Sequence, residues 1–318
     1  MATLTAPAAS ANRAGSPAFT RFAWGVLGWN LLVVLWGAYV RASGSGAGCG
    51  SHWPLCNGEV LPRAPKLETI IEFAHRVTSG ATVIPVVGLA VWSFFRFPRP
   101  HRVQKAALYS VVFLLIEAAL GAGLVLFKYV ASNASPGHAF YLCLHLVNTQ
   151  LLLAALALTA WFSRDDAAPP GPRSPLLKGT LVAALLVSAT GVIAALGDTL
   201  FPAASLAAGF KQDLDAASSL LPRLRIAHPI LAVASGIYFI VAAITVLRSK
   251  PLPVSMKIAM SVLLLSLTQL CAGVINLALL APIWMQIVHL FLANLVWISL
   301  VLLTAESAKT LSGSAARS

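Results

Sequence analysis

The chain is a succession of long apolar runs separated by short polar connections. Eight runs stand out, near residues 20–42, 69–95, 105–128, 137–162, 176–197, 223–247, 255–280 and 282–307. A bilayer core about 30 Å thick is crossed by roughly 20 helical residues, so each run predicts a membrane-spanning helix. The runs are continuous rather than alternating in polarity, which excludes a transmembrane β-barrel. The predicted fold class is therefore an all-α membrane protein of eight transmembrane helices.

Composition agrees with this picture: 58% of residues are hydrophobic, 10% are charged, and the mean hydropathy is +0.83. A soluble domain of this size could not hide so much apolar surface. The net charge of +12 would suit a nucleic-acid partner, but its placement argues against one. Arg96, Arg99, Arg102 and Lys105 crowd the second connection; Arg164, Arg173 and Lys178 flank the fourth; Arg248, Lys250 and Lys257 flank the sixth. Together with Arg13, Arg21, Lys309 and Arg317 in the tails, they follow the positive-inside bias. The expectation is a multi-pass protein of the cell membrane with cytoplasmic N- and C-termini. The polar stretch before Arg21 does not read as a signal peptide, because the apolar run after it is too long and lacks a cleavage site.

Near the middle, SRDDAAPPGPRSP (163–175) is rich in proline and charge and has no apolar period. It reads as a cytoplasmic linker, 164–175, between an N-terminal half (1–163) and a C-terminal half (176–318). Four helices per half give both halves the same orientation, so a repeat would be parallel, with its axis along the membrane normal. The sequence supports one. Glu117 and Gly121 align with Gln269 and Gly273; EFAHR (from Glu72) aligns with RIAHP (from Arg225), which sets His75 on His228; His145-Leu146 aligns with His289-Leu290. The fold expected is thus two pseudo-symmetric four-helix bundles.

Four of the seven histidines fall at equivalent points of the even-numbered helices: His75, His145, His228 and His289. Each lies on the order of 10 Å down a helix that enters from the external side. An ionisable residue at that depth is costly and points to function. A lone intramembrane histidine is often an interhelical hydrogen-bonding residue, but four at repeated positions, two per half, favour metal ligation. Zinc would want four ligands, and no cysteine or carboxylate completes such a set in the second half. Neutral imidazoles facing each other across a four-helix bundle suit haem iron. His52, His138 and His101 lack such partners and read as solvated or interfacial.

The halves differ in two respects. Three residues before His75 stands Glu72, whereas three before His228 stands Arg225, each on its histidine's helix face. A carboxylate beside a haem edge can act as a base or stabilise developing positive charge, or it can simply complement the helix dipole. An arginine there suits a propionate, and Arg41 is a second candidate for that contact. The first external loop carries Cys49 and Cys56, where the compartment permits a disulfide. The corresponding loop of the second half (197–221) has no cysteine. Cys143 and Cys271 lie within helices and read as buried, inert thiols.

The loop VRASGSGAGC…WPLCNG, the helix motif IEFAHR and the histidine on each even-numbered helix together resemble the haem A synthase family over nearly the whole chain. The resemblance implies an enzyme oxidising the C8 methyl of haem O to the formyl group of haem A for terminal oxidases. It implies that His75 and His145 ligate the substrate haem in the first half, and that His228 and His289 ligate a haem b that passes electrons. Glu72 matches the family's essential helix carboxylate, and Cys49 and Cys56 match loop cysteines of many bacterial members. Haem O synthase, a membrane electron acceptor and a second copy of the chain are the partners expected. Two other classes remain in view. A non-catalytic dihaem b electron-transfer protein would need the histidines but neither Glu72 nor the loop cysteines. A transporter of parallel repeats would need discontinuous helices lining a polar pathway.

Overall fold

The computed structural model describes residues 16–164 and 174–306. Arg13, Arg173, Lys309, Arg317 and most of the expected linker lie outside the described residues. Eleven α-helices run along the described chain, α1 to α11 in order. They make eight candidate membrane spans: Pro17–Ala42 (α1), Leu67–Arg96 (α2 and α3), Arg102–Leu126 (α4), Pro136–Phe162 (α5), Pro175–Leu200 (α6), Leu220–Arg248 (α8 and α9), Pro253–Ala278 (α10) and Ile283–Glu306 (α11). Every predicted run is one of these spans.

Local chemistry sets the helix starts. α1, α5, α6 and α10 each open on a proline, whose fixed φ suits the first helical position and whose missing N–H leaves no orphan there. Ser16 and Ser135 cap α1 and α5 by accepting from the N–H groups of Phe19 and His138. The second span is broken three residues before Pro85, which has no N–H for the Ala81 carbonyl and crowds it. Thr82 separates α2 (Leu67–Ala81) from α3 (Val83–Arg96), donating its hydroxyl to the Thr78 carbonyl at 3.0 Å and accepting from Trp29 Nε1 at 3.0 Å. The sixth span starts with the short α8 (Leu220–Arg225) and continues as α9 (Ala227–Arg248). Between α6 and α8 the loop folds into α7 (Leu206–Leu214), which the apolar pattern does not mark; at nine residues it is too short to span.

α5 and α11 form the centre. About half of each is enclosed by protein, against a third or less of every other span. Their seam is polar as well as apolar. Trp297 Nε1 donates to the Gln150 carbonyl (2.7 Å), Gln150 Nε2 to Asn294 Oδ1 (3.2 Å), and Trp161 Nε1 to Glu306 Oε2 (3.2 Å). With no hydrophobic drive between helices in lipid, such bonds contribute on the order of 1 kcal/mol each and fix which faces meet. Large apolar side chains such as Leu32, Ile84, Phe95, Ile230 and Val274 face outward, where hydrocarbon replaces water as their solvent.

His101 is not simply solvated. It caps α4: its Nδ1 accepts from the Val103 N–H at 3.2 Å, Gln104 Oε1 accepts from its own N–H at 3.1 Å, and its ring stacks on Phe97 at 4.9 Å. Burial, and then the Arg102 charge, pull its pKa below the usual 6.5. A folded pKa below the unfolded one means that the unfolded chain takes the proton first, so this contribution to stability is present at neutral pH and fades as pH falls below about 6.5. A His101→Asn variant, which caps without titrating, is expected to lose less stability on acidification. The difference should be on the order of 1 kcal/mol, read as thermal unfolding in detergent at about pH 8 and about pH 5.

Candidate functional site

Each of the four repeated histidines packs its ring against a glycine of the preceding span. His75 on α2 meets Gly37 of α1, His145 on α5 meets Gly121 of α4, His228 on α9 meets Gly191 of α6, and His289 on α11 meets Gly273 of α10. A Cβ at these glycines would stand 2.9, 3.8, 3.0 and 3.1 Å from the imidazole carbon. Three of the four sites therefore admit no side chain without moving the ring, while Gly121 leaves ordinary contact distance. The halves' alignment pairs Gly121 with Gly273, but the meaning of these glycines emerges only when the helices are side by side.

A polar side chain also stands beside each imidazole. His228 Nδ1 lies 3.3 Å from Thr190 Oγ1, and His75 Nδ1 lies 3.5 Å from Ser79 Oγ. His145 Nδ1 is 3.4 Å from Glu117 Oε1, and His289 Nε2 is 3.2 Å from Gln269 Nε2. The structure brings His228 and His289 together with ring centroids 6.4 Å apart and planes at 85°. Metal–imidazole bonds of about 2 Å on opposite sides of one ion would set two ring centres roughly 6 Å apart. His228 and His289 are thus close enough that they could hold one metal ion between them. Among the described residues no three or more His, Cys, Asp or Glu side chains converge on one point, so a four-ligand zinc site is not built here.

Glu72 is buried one turn from His75 and is locked to the loop between α1 and α2. Cys49 N–H donates to its Oε2 at 2.8 Å, and Arg76 donates to its Oε1 through Nε (3.1 Å) and Nη2 (2.5 Å). Arg76 Nη1 also donates to the carbonyls of His52 (2.5 Å) and Leu55 (2.7 Å). Cys49 and Cys56, both buried, form a disulfide that closes this same loop, and Asn57 N–H donates to the Cys49 carbonyl at 2.9 Å. Gly48 lies so close to the Glu68 backbone that no Cβ fits between them, and its carbonyl accepts from Thr69 Oγ1 at 2.8 Å. The loop is thus seated on the first turns of α2. Arg76 escaped sequence reasoning although its spacing four residues after Glu72, one helical turn on, is itself an ion-pair signal.

Arg225 stands where Glu72 does and performs the mirror task. It donates to Asp213 Oδ1 (Nε 2.9 Å, Nη2 2.6 Å), Asp198 Oδ1 (3.0 Å), Gln212 Oε1 (3.2 Å) and the Phe201 carbonyl (3.4 Å). Its donors are committed to the second-half loop and the end of α6. Arg41 crosses between halves: from α1 it donates to the Ala195 carbonyl (2.8 Å), Thr199 Oγ1 (2.9 Å) and Gln286 Oε1 (2.8 Å), the last one turn before His289. Two sequence expectations change. His138 is buried, its Nδ1–H donating to the Asn133 carbonyl at 2.6 Å, because α5 begins beneath the preceding turn. Cys271 is exposed on α10 rather than buried, while Cys143 is half-buried with its thiol 3.5 Å from the Ala189 carbonyl.

Eight candidate spans, four histidines backed by glycines, and a disulfide loop clasping a buried carboxylate define a multi-pass membrane protein whose histidines are candidate ligands. The sequence matches the COX15-CtaA family, described as cytochrome oxidase assembly protein, over residues 20–301, and the chain belongs to that family. Its relatives include a Thermus thermophilus protein named protoheme IX farnesyltransferase, 45% identical over 303 residues that cover 92% of this chain and 49% of the relative. A protein of Halalkalibacterium halodurans named heme A synthase is 36% identical over 149 residues, 47% of each chain. One of the same name in Bacillus licheniformis is 45% identical over 97 residues, covering 30% of this chain and 32% of the relative. The chain spans about half the length of the curated relatives it matches.

Proposed function

We propose that this protein is a haem A synthase, a membrane oxidoreductase that converts the C8 methyl group of haem O to the formyl group of haem A. The observation that carries the reading is Glu72: a buried carboxylate one turn from His75, oriented by the Cys49 N–H and Arg76. Glu72 anchors its loop as Arg225 anchors the other, but only the first half puts a carboxylate on its histidine's own helix face, which a dihaem carrier does not require. Oxidation of a methyl group in two steps through hydroxylated intermediates needs a fixed substrate, a group that stabilises positive charge or accepts a proton, and an outlet for electrons. His75 and His145 would hold haem O, and Glu72 would supply the carboxylate. His228 and His289 would hold a resident haem b, which supplies the electron outlet when bound.

The halves 1–163 and 176–318, joined by the linker 164–175, are read as parallel four-helix repeats, a reading supported by four histidine–glycine contacts of one kind. The basic connections set both termini on the cytoplasmic side of the cell membrane, with the disulfide loop outside. Arg41, whose guanidinium reaches the outer edge of the second histidine pair, is retained as a propionate-side cation; Arg225 is assigned to its loop instead. The farnesyltransferase name carried by a relative twice as long as the match supports haem O synthase as the partner that delivers substrate. A membrane electron acceptor and a second copy of the chain are the other partners proposed.

The test is co-expression with a source of haem O, followed by extraction of the non-covalent haems. Haem A is expected to accumulate only when the chain is present. Extracts that hold haem b and unconverted haem O would support the dihaem electron carrier instead.

A further inference from the structure

The histidines of the two central helices differ in what stands behind them. His145 Nδ1 is buried with no hydrogen bond of its own, 3.4 Å from Glu117 Oε1 on α4. That carboxylate is itself fixed on α5: Asn148 Nδ2 donates to Oε2 at 2.5 Å, and Thr149 Oγ1 donates to Oε1. Asn148 and Thr149 follow His145 by three and four residues, so all three present one helix face to Glu117. A carboxylate oxygen has room for two donors, which leaves Oε1 free to take the imidazole N–H beside the Thr149 hydroxyl. At the matching place on α10 stands Gln269, whose Nε2 lies 3.2 Å from His289 Nε2, while its own Oε1 and His289 Nδ1 are buried and unpartnered. One central histidine thus has an acceptor-only, charged group behind its Nδ1, and the other has nothing behind that nitrogen.

We propose that Glu117 is a positioning residue for the first haem site. It accepts from His145 Nδ1–H, holds the tautomer that turns Nε2 toward the iron, and makes this imidazole the stronger donor of the two. The inference rests on the assignment of His145 as a haem ligand. Carboxylate-backed histidines are more basic ligands, and stronger donation lowers the reduction potential of the iron they hold. The Glu117/Gln269 difference would then bias electrons to leave the first-half haem for the second-half haem, the direction that substrate oxidation requires. A plain structural role, in which Glu117 only joins α4 to α5 through Asn148 and Thr149, makes no such demand.

The experiment is an optical redox titration, with low-spin electron paramagnetic resonance, of the full-length protein loaded with protohaem. His75→Ala first identifies the first-half component as the one that disappears. Glu117→Gln, which keeps an acceptor for Asn148, is expected to shift that component to higher potential and alter its resonance signal while the second-half component stays put. Glu117→Asp, which keeps the charge but draws it back from His145, is expected to shift the same component in the same direction by a smaller amount, which keeps the idea testable if Glu117→Gln folds poorly. Both haems retained with unchanged potentials and signals in the two variants would overturn the role of Glu117 alone. Protohaem binding that His75→Ala leaves untouched would overturn the first-site assignment, and this inference with it.

Discussion

Replacing Glu72 by glutamine is expected to stop conversion of haem O while both haem sites still fill. The amide matches the carboxylate in shape and can still accept from the Cys49 N–H, and Arg76 keeps its bonds to the His52 and Leu55 carbonyls. The loop therefore stays seated, and the variant removes charge and basicity rather than architecture. Either variant removes the counter-ion of the largely buried Arg76 guanidinium, at roughly 3–5 kcal/mol where such pairs are enclosed, but alanine also removes the acceptor of the Cys49 N–H. General base action or electrostatic stabilisation by a placed carboxylate contributes about 10²–10⁴-fold. The fraction of extracted haem O converted to haem A should fall on that scale, with the haem content of the purified protein unchanged. Conversion near the wild-type level would reduce Glu72 to an anchor for the disulfide loop and return the dihaem carrier to first place.

The parts of this molecule that were legible in the sequence are those written in local pattern. Continuous apolar runs mark spans because every backbone polar group in hydrocarbon must be satisfied within its own helix. The histidines are legible because a costly residue recurs at one register in both halves. What stayed hidden depends on partners far along the chain. Gly37 and Gly191 look like ordinary small residues until the rings of His75 and His228 are set against them. The break at Thr82 is announced by Pro85 three residues on, a signal that the apolar pattern alone passes over. Arg225 was read from its spacing as a ligand contact, yet spacing fixes only the helix face. Asp198 and Asp213, which occupy its guanidinium, come from the end of α6 and from the short α7 that the apolar pattern did not mark. Glu72 and Arg225 prove to share one task with opposite charge. Each ties a loop to the helix that carries a repeated histidine, and among these two loops only the first is closed by a disulfide.

A pair of single-ligand deletions should separate the two sites. His228→Ala is expected to remove the second-half haem and leave the first, and His75→Ala to do the reverse. Both deletions are sterically clean. Thr190, which faces His228 Nδ1, keeps its hydroxyl bond to the Val187 carbonyl at 3.0 Å, and Ser79, which faces His75, keeps its bond to the residue-75 carbonyl at 2.6 Å. Neither variant therefore orphans a buried hydroxyl, and neither disturbs the α5–α11 seam that centres the fold. The gap opened behind each ring faces Gly191 or Gly37, so the helix backbone has space to relax toward it. Total haem per chain, measured after detergent purification, should fall by about half in each variant, and extraction should show which haem remains. With His228→Ala, haem O is expected to bind yet accumulate unconverted, since the electron outlet is gone while Glu72 and its loop are intact. If either variant instead lost all haem, the histidines would form one interdependent site, and the division into a substrate half and a cofactor half would fall.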